Sequence, residues 1–221
     1  MAEKYGEVPK LFTKAWWEYF WDYYKWHTIV VLSIILAIGI TIYQKVTAPK
    51  YNFNLYYTAD FSISDESEMA LKEKMSEFVT DSDGDGKDGV SISQMAFIEG
   101  SQDPQYEYTM VMRLQLEVTN DDTILYIFDK NKAQYLVDSE TMEGAFVETK
   151  EWLDSDVEEE RLYTRDGKAY AVNLGGSKIM EECGIDSDNL YIAVRNYYDD
   201  IDDELKEKIA DAKRIANAII E

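Results

Sequence analysis

Hydrophobic positions follow three different rules along this chain. From Trp26 to Gln44 there are 19 residues without a formal charge, bracketed by Lys25 and Lys45. The stretch Ile29 to Tyr43, IVVLSIILAIGITIY, is almost wholly aliphatic. A core helix of a soluble protein carries polar residues every third or fourth position, and this segment does not. Nineteen helical residues span roughly 28 Å, the thickness of a bilayer's hydrocarbon, so a transmembrane helix is expected over residues 26–44. The competing reading is a cleaved signal peptide. Against it, 25 residues precede the apolar run, and the nearest cleavage candidate, Val46-Thr47-Ala48, is followed by Pro49. An uncleaved signal anchor is the expectation.

Before the span, TKAWWEYFWDYYKW holds four of the five tryptophans. Lys14, Glu18, Asp22 and Lys25 fall on one helical stripe, and Trp16, Tyr19, Phe20 and Tyr23 fill the other side. Residues 1–25 are therefore expected to form an amphipathic aromatic segment in the headgroup layer, on the cytoplasmic side. The functional alternative is a docking helix for another membrane protein. His27 sits at this boundary and reads as interfacial.

After a short linker, residues 45–51, strand and helix periods alternate through residues 52–221. Strands are expected at Asn52–Thr58, Val90–Ile98, Thr123–Phe128 and Asn189–Asn196. Helices are expected at Asp65–Val79, with Met69, Lys72, Met75 and Phe78/Val79 on one side, and after Asp103-Pro104, a cap and first-turn pair. Shorter helices follow at Lys130–Val137 and Ser177–Cys183, the latter stopped by Gly184. Asp166-Gly167 between aromatic-rich runs signals a hairpin. Asp202 to Glu221 carries an apolar stripe of Leu205, Ile209, Ala212, Ala216 and Ile219. Alternating strands and helices predict a single layered α/β domain with a mostly parallel sheet flanked by helices.

Charge narrows the function. Lys and Arg total 22 against 44 Asp and Glu, a formal net charge of −22. Six basic and four acidic residues lie in positions 1–50, leaving sixteen and forty for the rest. So acidic a domain is repelled by phosphate backbones, which excludes nucleic acid as a partner. Four lysines precede the span and two follow it closely, a bias that places the N-terminus inside and the domain outside. No N-x-Ser/Thr sequon occurs, which agrees with a bacterial source. One cysteine, Cys183, excludes an internal disulfide, and one histidine excludes most triads and His-rich zinc sites.

The sharpest chemical motif is DSDGDGKDG, Asp81 to Gly89. Asp81, Asp83 and Asp85 alternate and Gly86 follows, matching the first half of a calcium loop in which carboxylates converge on one hard cation. Lys87 supplies its backbone carbonyl. Ile92 stands where the closing Glu belongs, so Asp88 or a distant carboxylate has to complete the shell. The expected cofactor is thus a structural Ca2+, and the bland alternative is a solvated acidic turn. Gly175-Gly176-Ser177 before a helix reads as a plain loop more readily than as an anion cradle. Acidic pairs such as Asp121/Asp122 and Asp199/Asp200 read as solvated surface, and no group is visibly activated, so no enzymatic activity is expected.

The order of these units, with TILYIFDKNKAQYLVD, GAFVETKEWL and RDGKAYAVNL in sequence, resembles extracytoplasmic solute-binding proteins of ABC importers over roughly residues 52–200. The resemblance implies an α/β lobe outside the membrane. Those proteins need roughly twice this length for two lobes that close on a solute. The aromatic anchor and the shorter domain together are similar to uncharacterised membrane-anchored proteins of Gram-positive anaerobes. That likeness implies location and fold. The expected role is a non-enzymatic interaction or accessory module in a membrane assembly, with the lipid bilayer and a membrane protein or transporter subunit as partners. The alternative is a solute-binding module serving an ABC-type importer.

Overall fold

The computed structural model describes residues 9–47, 51–81, 89–98, 100, 103–119, 123–197 and 201–221. It divides into two compact units, Met1–Pro49 and Lys50–Glu221.

The first unit is one helix, α1 (Lys14–Thr47), 34 residues and about 51 Å long. Thr13 starts it: its hydroxyl accepts from the Trp16 N–H at 3.2 Å and its carbonyl from the Trp17 N–H at 3.1 Å. The helix continues through both expected boundaries, residues 25 and 44, without proline. It is long and apolar enough over Lys14–Gln44 to cross a membrane. Its aliphatic residues from Ile29 to Ile42 stand exposed. Aromatic neighbours one turn apart contact each other, Trp16 with Phe20 at 5.5 Å and Phe20 with Tyr24 at 5.8 Å between ring centroids.

The second unit is built on β1 (Phe53–Ala59), α2 (Asp65–Ser76), β2 (Val90–Ala96), α3 (Pro104–Val118), β3 (Leu125–Asp129) and α4 (Lys130–Leu136). It continues with β4 (Leu162–Arg165), β5 (Lys168–Asn173), α5 (Lys178–Glu182), β6 (Leu190–Val194) and α6 (Asp203–Ile220). The strands form a six-stranded sheet in the order β2-β1-β3-β6-β5-β4. Only β2, β1 and β3 run parallel, and β6, β5 and β4 each pair antiparallel with their neighbours. The expected mostly parallel sheet is therefore corrected to a mixed, mostly antiparallel one.

Two local features account for the difference. Asp166 and Gly167 hold φ of 52° and 76°, the left-handed pair of a type I′ turn that folds β5 back on β4. Between β5 and β6 the one helix, α5, has five residues and rises only about 8 Å. That is too short to carry the chain back along a strand of about 20 Å. β6 therefore returns in the opposite direction, whereas α2 and α3, with 12 and 15 residues, support parallel crossovers.

Both faces of the sheet are buried. Alternate residues Leu55, Tyr57, Leu125, Ile127, Ile192 and Val194 pack under α2, α5 and α6. Their neighbours Tyr56, Tyr126, Phe128 and Ala193 pack under α3 and α4 with Phe146. The alternation matches a two-residue strand period in a three-layer α/β/α arrangement. Helix α2 departs from its expected face: Leu71 and Met75 are buried, while Met69 is 72% exposed. On α6 the expected stripe faces the core, with Ala212, Ala216 and Ile219 buried and Leu205 and Ile209 partly buried, and the polar Asp211 is buried beside it.

Candidate functional site

The parallel half of the sheet places the site. The chain leaves β1 for α2 on one face, and leaves β3 for α4 on the other. Between two parallel strands whose connections diverge, a crevice opens outside their carboxyl ends. β6 runs antiparallel, with Leu190 paired to Asp129, so the segment leading into β6 reaches the same edge. The resulting cleft has a volume of about 450 Å³.

Asp129 organises its floor. It ends β3 and caps α4, with Oδ1 accepting from the Lys132 N–H at 2.9 Å and Oδ2 accepting from the Asp60 N–H at 2.7 Å. Lys132 lies one turn into α4 with its side chain fully buried. Its Nζ donates to Asp60 Oδ1 at 2.6 Å, sits 3.7 Å from Asp129 Oδ2, and lies 4.5 Å from the centroid of the Phe97 ring. Asn131 Nδ2 donates to the other oxygen of Asp60 at 3.2 Å. A buried ammonium thus offsets one of the two carboxylates of the cleft floor from behind.

The loop from Asp60 to Ser64 is held as firmly. The Ile63 N–H donates to Gln94 Oε1 at 3.0 Å, and Ser64 caps α2 by accepting from the Ser67 N–H at 3.1 Å. Gln94 and Lys72 both donate to Glu68. Burial pushes the Glu68 carboxyl up, but these two donors and the Lys72 charge outweigh it and hold the group below the usual carboxylate range. Opposite, Asp186 and Asp188 line the cleft, and Asp186 Oδ1 accepts from the Asp188 N–H at 3.3 Å. Tyr57 registers the field of this cleft. Burial first, then the charges of Asp129 and Asp186, push its hydroxyl up to about 12.

Of the expected calcium ligands, Asp83, Asp85, Lys87 and Asp88 lie outside the described residues. Asp81 is described, and both flanks of its segment are anchored. Asp211 accepts the Thr80 N–H at 2.7 Å and the Thr80 hydroxyl at 3.0 Å, and Arg214 donates to that hydroxyl at 2.8 Å. Gly89 carbonyl accepts the Asn52 and Phe53 N–H groups at 2.8 and 3.2 Å. Among the described residues no group of three His, Cys, Asp or Glu side chains converges as a metal site.

The Gly175-Gly176 turn is self-contained, with the Gly175 N–H donating to Asn173 Oδ1 at 2.8 Å. A Cβ at Gly175 would meet that same oxygen at 2.7 Å, so the glycine permits the local turn. Cys183 packs in the core, where burial pushes its thiol up and away from reactivity. Sequence reasoning missed the Asp60–Asp129–Lys132 cluster. Its signal was an apolar strand ending in Asp with Lys three residues later, the spacing of a cap and the first turn behind it. No family model, no curated protein and no solved structure matches this chain.

Proposed function

We propose that this chain is a single-pass, membrane-anchored module with its N-terminus in the cytoplasm and its acidic α/β domain outside a bacterial cell. There it serves as a non-enzymatic interaction or accessory part of a membrane assembly. The observation that carries this reading is α1, 34 residues in one helix, with exposed aliphatic side chains from Ile29 to Ile42. Unburied aliphatics along a whole helix are stable only against lipid or another apolar surface. The first dozen residues of α1, Lys14–Lys25, add roughly 18 Å of mostly aromatic helix beyond the uncharged span. The headgroup layer is only about 5–8 Å deep on each side. The excess supports contact with a membrane partner. A structural calcium at Asp81, Asp83, Asp85, the Lys87 carbonyl and Asp88 belongs to the same reading.

Protease added to intact spheroplasts should digest the domain and leave α1 in the membrane pellet; a protected domain refutes the orientation. Cross-linking in the native membrane should return a reproducible membrane-protein partner, and its absence refutes the accessory role. The cleft favours a second reading, a solute-binding module that serves an importer. A bound sugar, peptide or amino acid carried through purification would establish it.

A further inference from the structure

The cleft at the carboxyl edge of β1 and β3 has a chemistry that selects its occupant. At about 450 Å³ it falls within the range of small-molecule sites. Tyr57, Ala59, Ile63 and Leu190 give it apolar walls, and the hydroxyls of Ser62 and Ser67 lie among them. Four carboxylates, Asp60, Asp129, Asp186 and Asp188, also line it, and no basic residue does among the described residues. The Lys132 ammonium, buried behind the floor, offsets one of the four. Asp60 and Asp129 are tied to Lys132, so the charges left to an occupant are those of Asp186 and Asp188, both exposed along the cleft beside its apolar walls. Phe61 stands at this cleft 73% exposed, an aromatic face that nothing on its own domain covers.

These features reject some ligands and favour others. An anion such as phosphate or a dicarboxylate meets uncompensated negative charge. A divalent metal needs three or more ligands on one centre, and no such group occurs among the described residues. A small organic cation satisfies every element. An ammonium or guanidinium group pairs with Asp186 and Asp188, the face of Phe61 covers it, and a short aliphatic stem lies along Tyr57 and Ile63.

We infer that the cleft bounded by Asp60, Phe61, Asp186 and Asp188 binds a small organic cation, a primary amine or guanidine on a short aliphatic stem. The inference rests on the solute-binding reading of the cleft and supplies its ligand class. It does not depend on the docking partner, which cross-linking tests separately.

The test is calorimetric titration of the full chain in lipid nanodiscs with 1,4-diaminobutane and with agmatine. The controls are 1,4-butanediol, of the same length without charge, succinate, and maltose. The cations should bind saturably and weaken with added salt, while the diol and succinate do not bind. The double variant D186N/D188N should bind at least about tenfold more weakly, because each charge-assisted hydrogen bond is worth roughly a factor of ten or more. F61A should weaken binding about two- to fivefold, the scale of an exposed cation–π contact. Where D186N/D188N loses its thermal transition, F61A decides, since its side chain is largely in solvent. Absence of saturable cation binding, equal binding of the diol, or unchanged affinity in a folded D186N/D188N overturns the inference. Saturable binding of maltose alone would overturn the cation class and leave the solute-binding reading standing.

Discussion

Replacing Lys132 by methionine removes the ammonium under the cleft while keeping the volume of its stem. Asp129 is 3% exposed and loses the positive charge 3.7 Å from its Oδ2. Asp60 loses a 2.6 Å hydrogen bond. Breaking a buried ion pair from one side costs about 3–5 kcal/mol, because it strands a charge away from water. Two features favour the lower end of that range. Asp129 keeps two backbone N–H donors, and the Asp60 side chain is 30% exposed, so water reaches it. About 3 kcal/mol is expected, a large fraction of the 5–15 kcal/mol that holds a typical domain together. For a domain of this size it corresponds to a drop in Tm of about 6–12 °C, read by scanning calorimetry of the full chain in nanodiscs. Adding D60N to K132M should cost less than D60N does in the parent, since the two side chains share one interaction. A fall of under about 2 °C for K132M would refute the assignment of Lys132 as the counterion of the floor.

Three further outcomes are expected. Millimolar calcium should raise the Tm of the chain, because a ligand bound only by the folded state adds RT ln(1 + [L]/Kd), and D81N/D83N should abolish the gain; identical melts in calcium and in chelator leave an acidic turn. The lowered Glu68 carboxyl contributes stability that is present above the ordinary carboxylate range and is lost as pH falls through its folded value. E68Q should therefore cost about 1 kcal/mol at neutral pH and much less in acid, and equal costs at both, measured by denaturant titration, would refute this sign. G167A forces a Cβ onto a residue at φ 76° with open space around it, so its cost is backbone strain of about 1–2 kcal/mol, and an unchanged Tm would mean the turn relaxes freely.

Elements whose identity rests on local chemistry were legible from the sequence. Asp103 and Pro104 start α3, Gly184 ends α5 at φ 68°, and Asp166-Gly167 makes the hairpin, because capping and left-handed turns depend on a few adjacent residues. Strand direction was not legible in this way. The apolar run of β3 and its place between β1 and β6 depend on pairing partners more than sixty residues apart, and a buried strand reads the same in either sense. The helical face of α2 was misjudged at Met69 because a methionine satisfies an apolar pattern without being needed in the core. The cluster at the cleft escaped for a related reason. Asp60 and Lys132 are ordinary charged residues until the sheet brings β1 and α4 together.

The strand order also sets when this domain can fold. β6 lies in the interior of the sheet, between β3 and β5, although it is the sixth of six strands in the chain. α6, which follows it, covers one face with Ala212, Ile215, Ala216 and Ile219. While the polypeptide is being synthesised from its N-terminus, β3 waits as a bare edge, apolar up to its closing Asp129, until residues 190–220 have emerged. Such an edge is a template for wrong pairing. Maturation is therefore a terminal event rather than a gradual one, and a nascent chain stalled before Leu190 leaves its aggregation-prone centre open to wrong pairing.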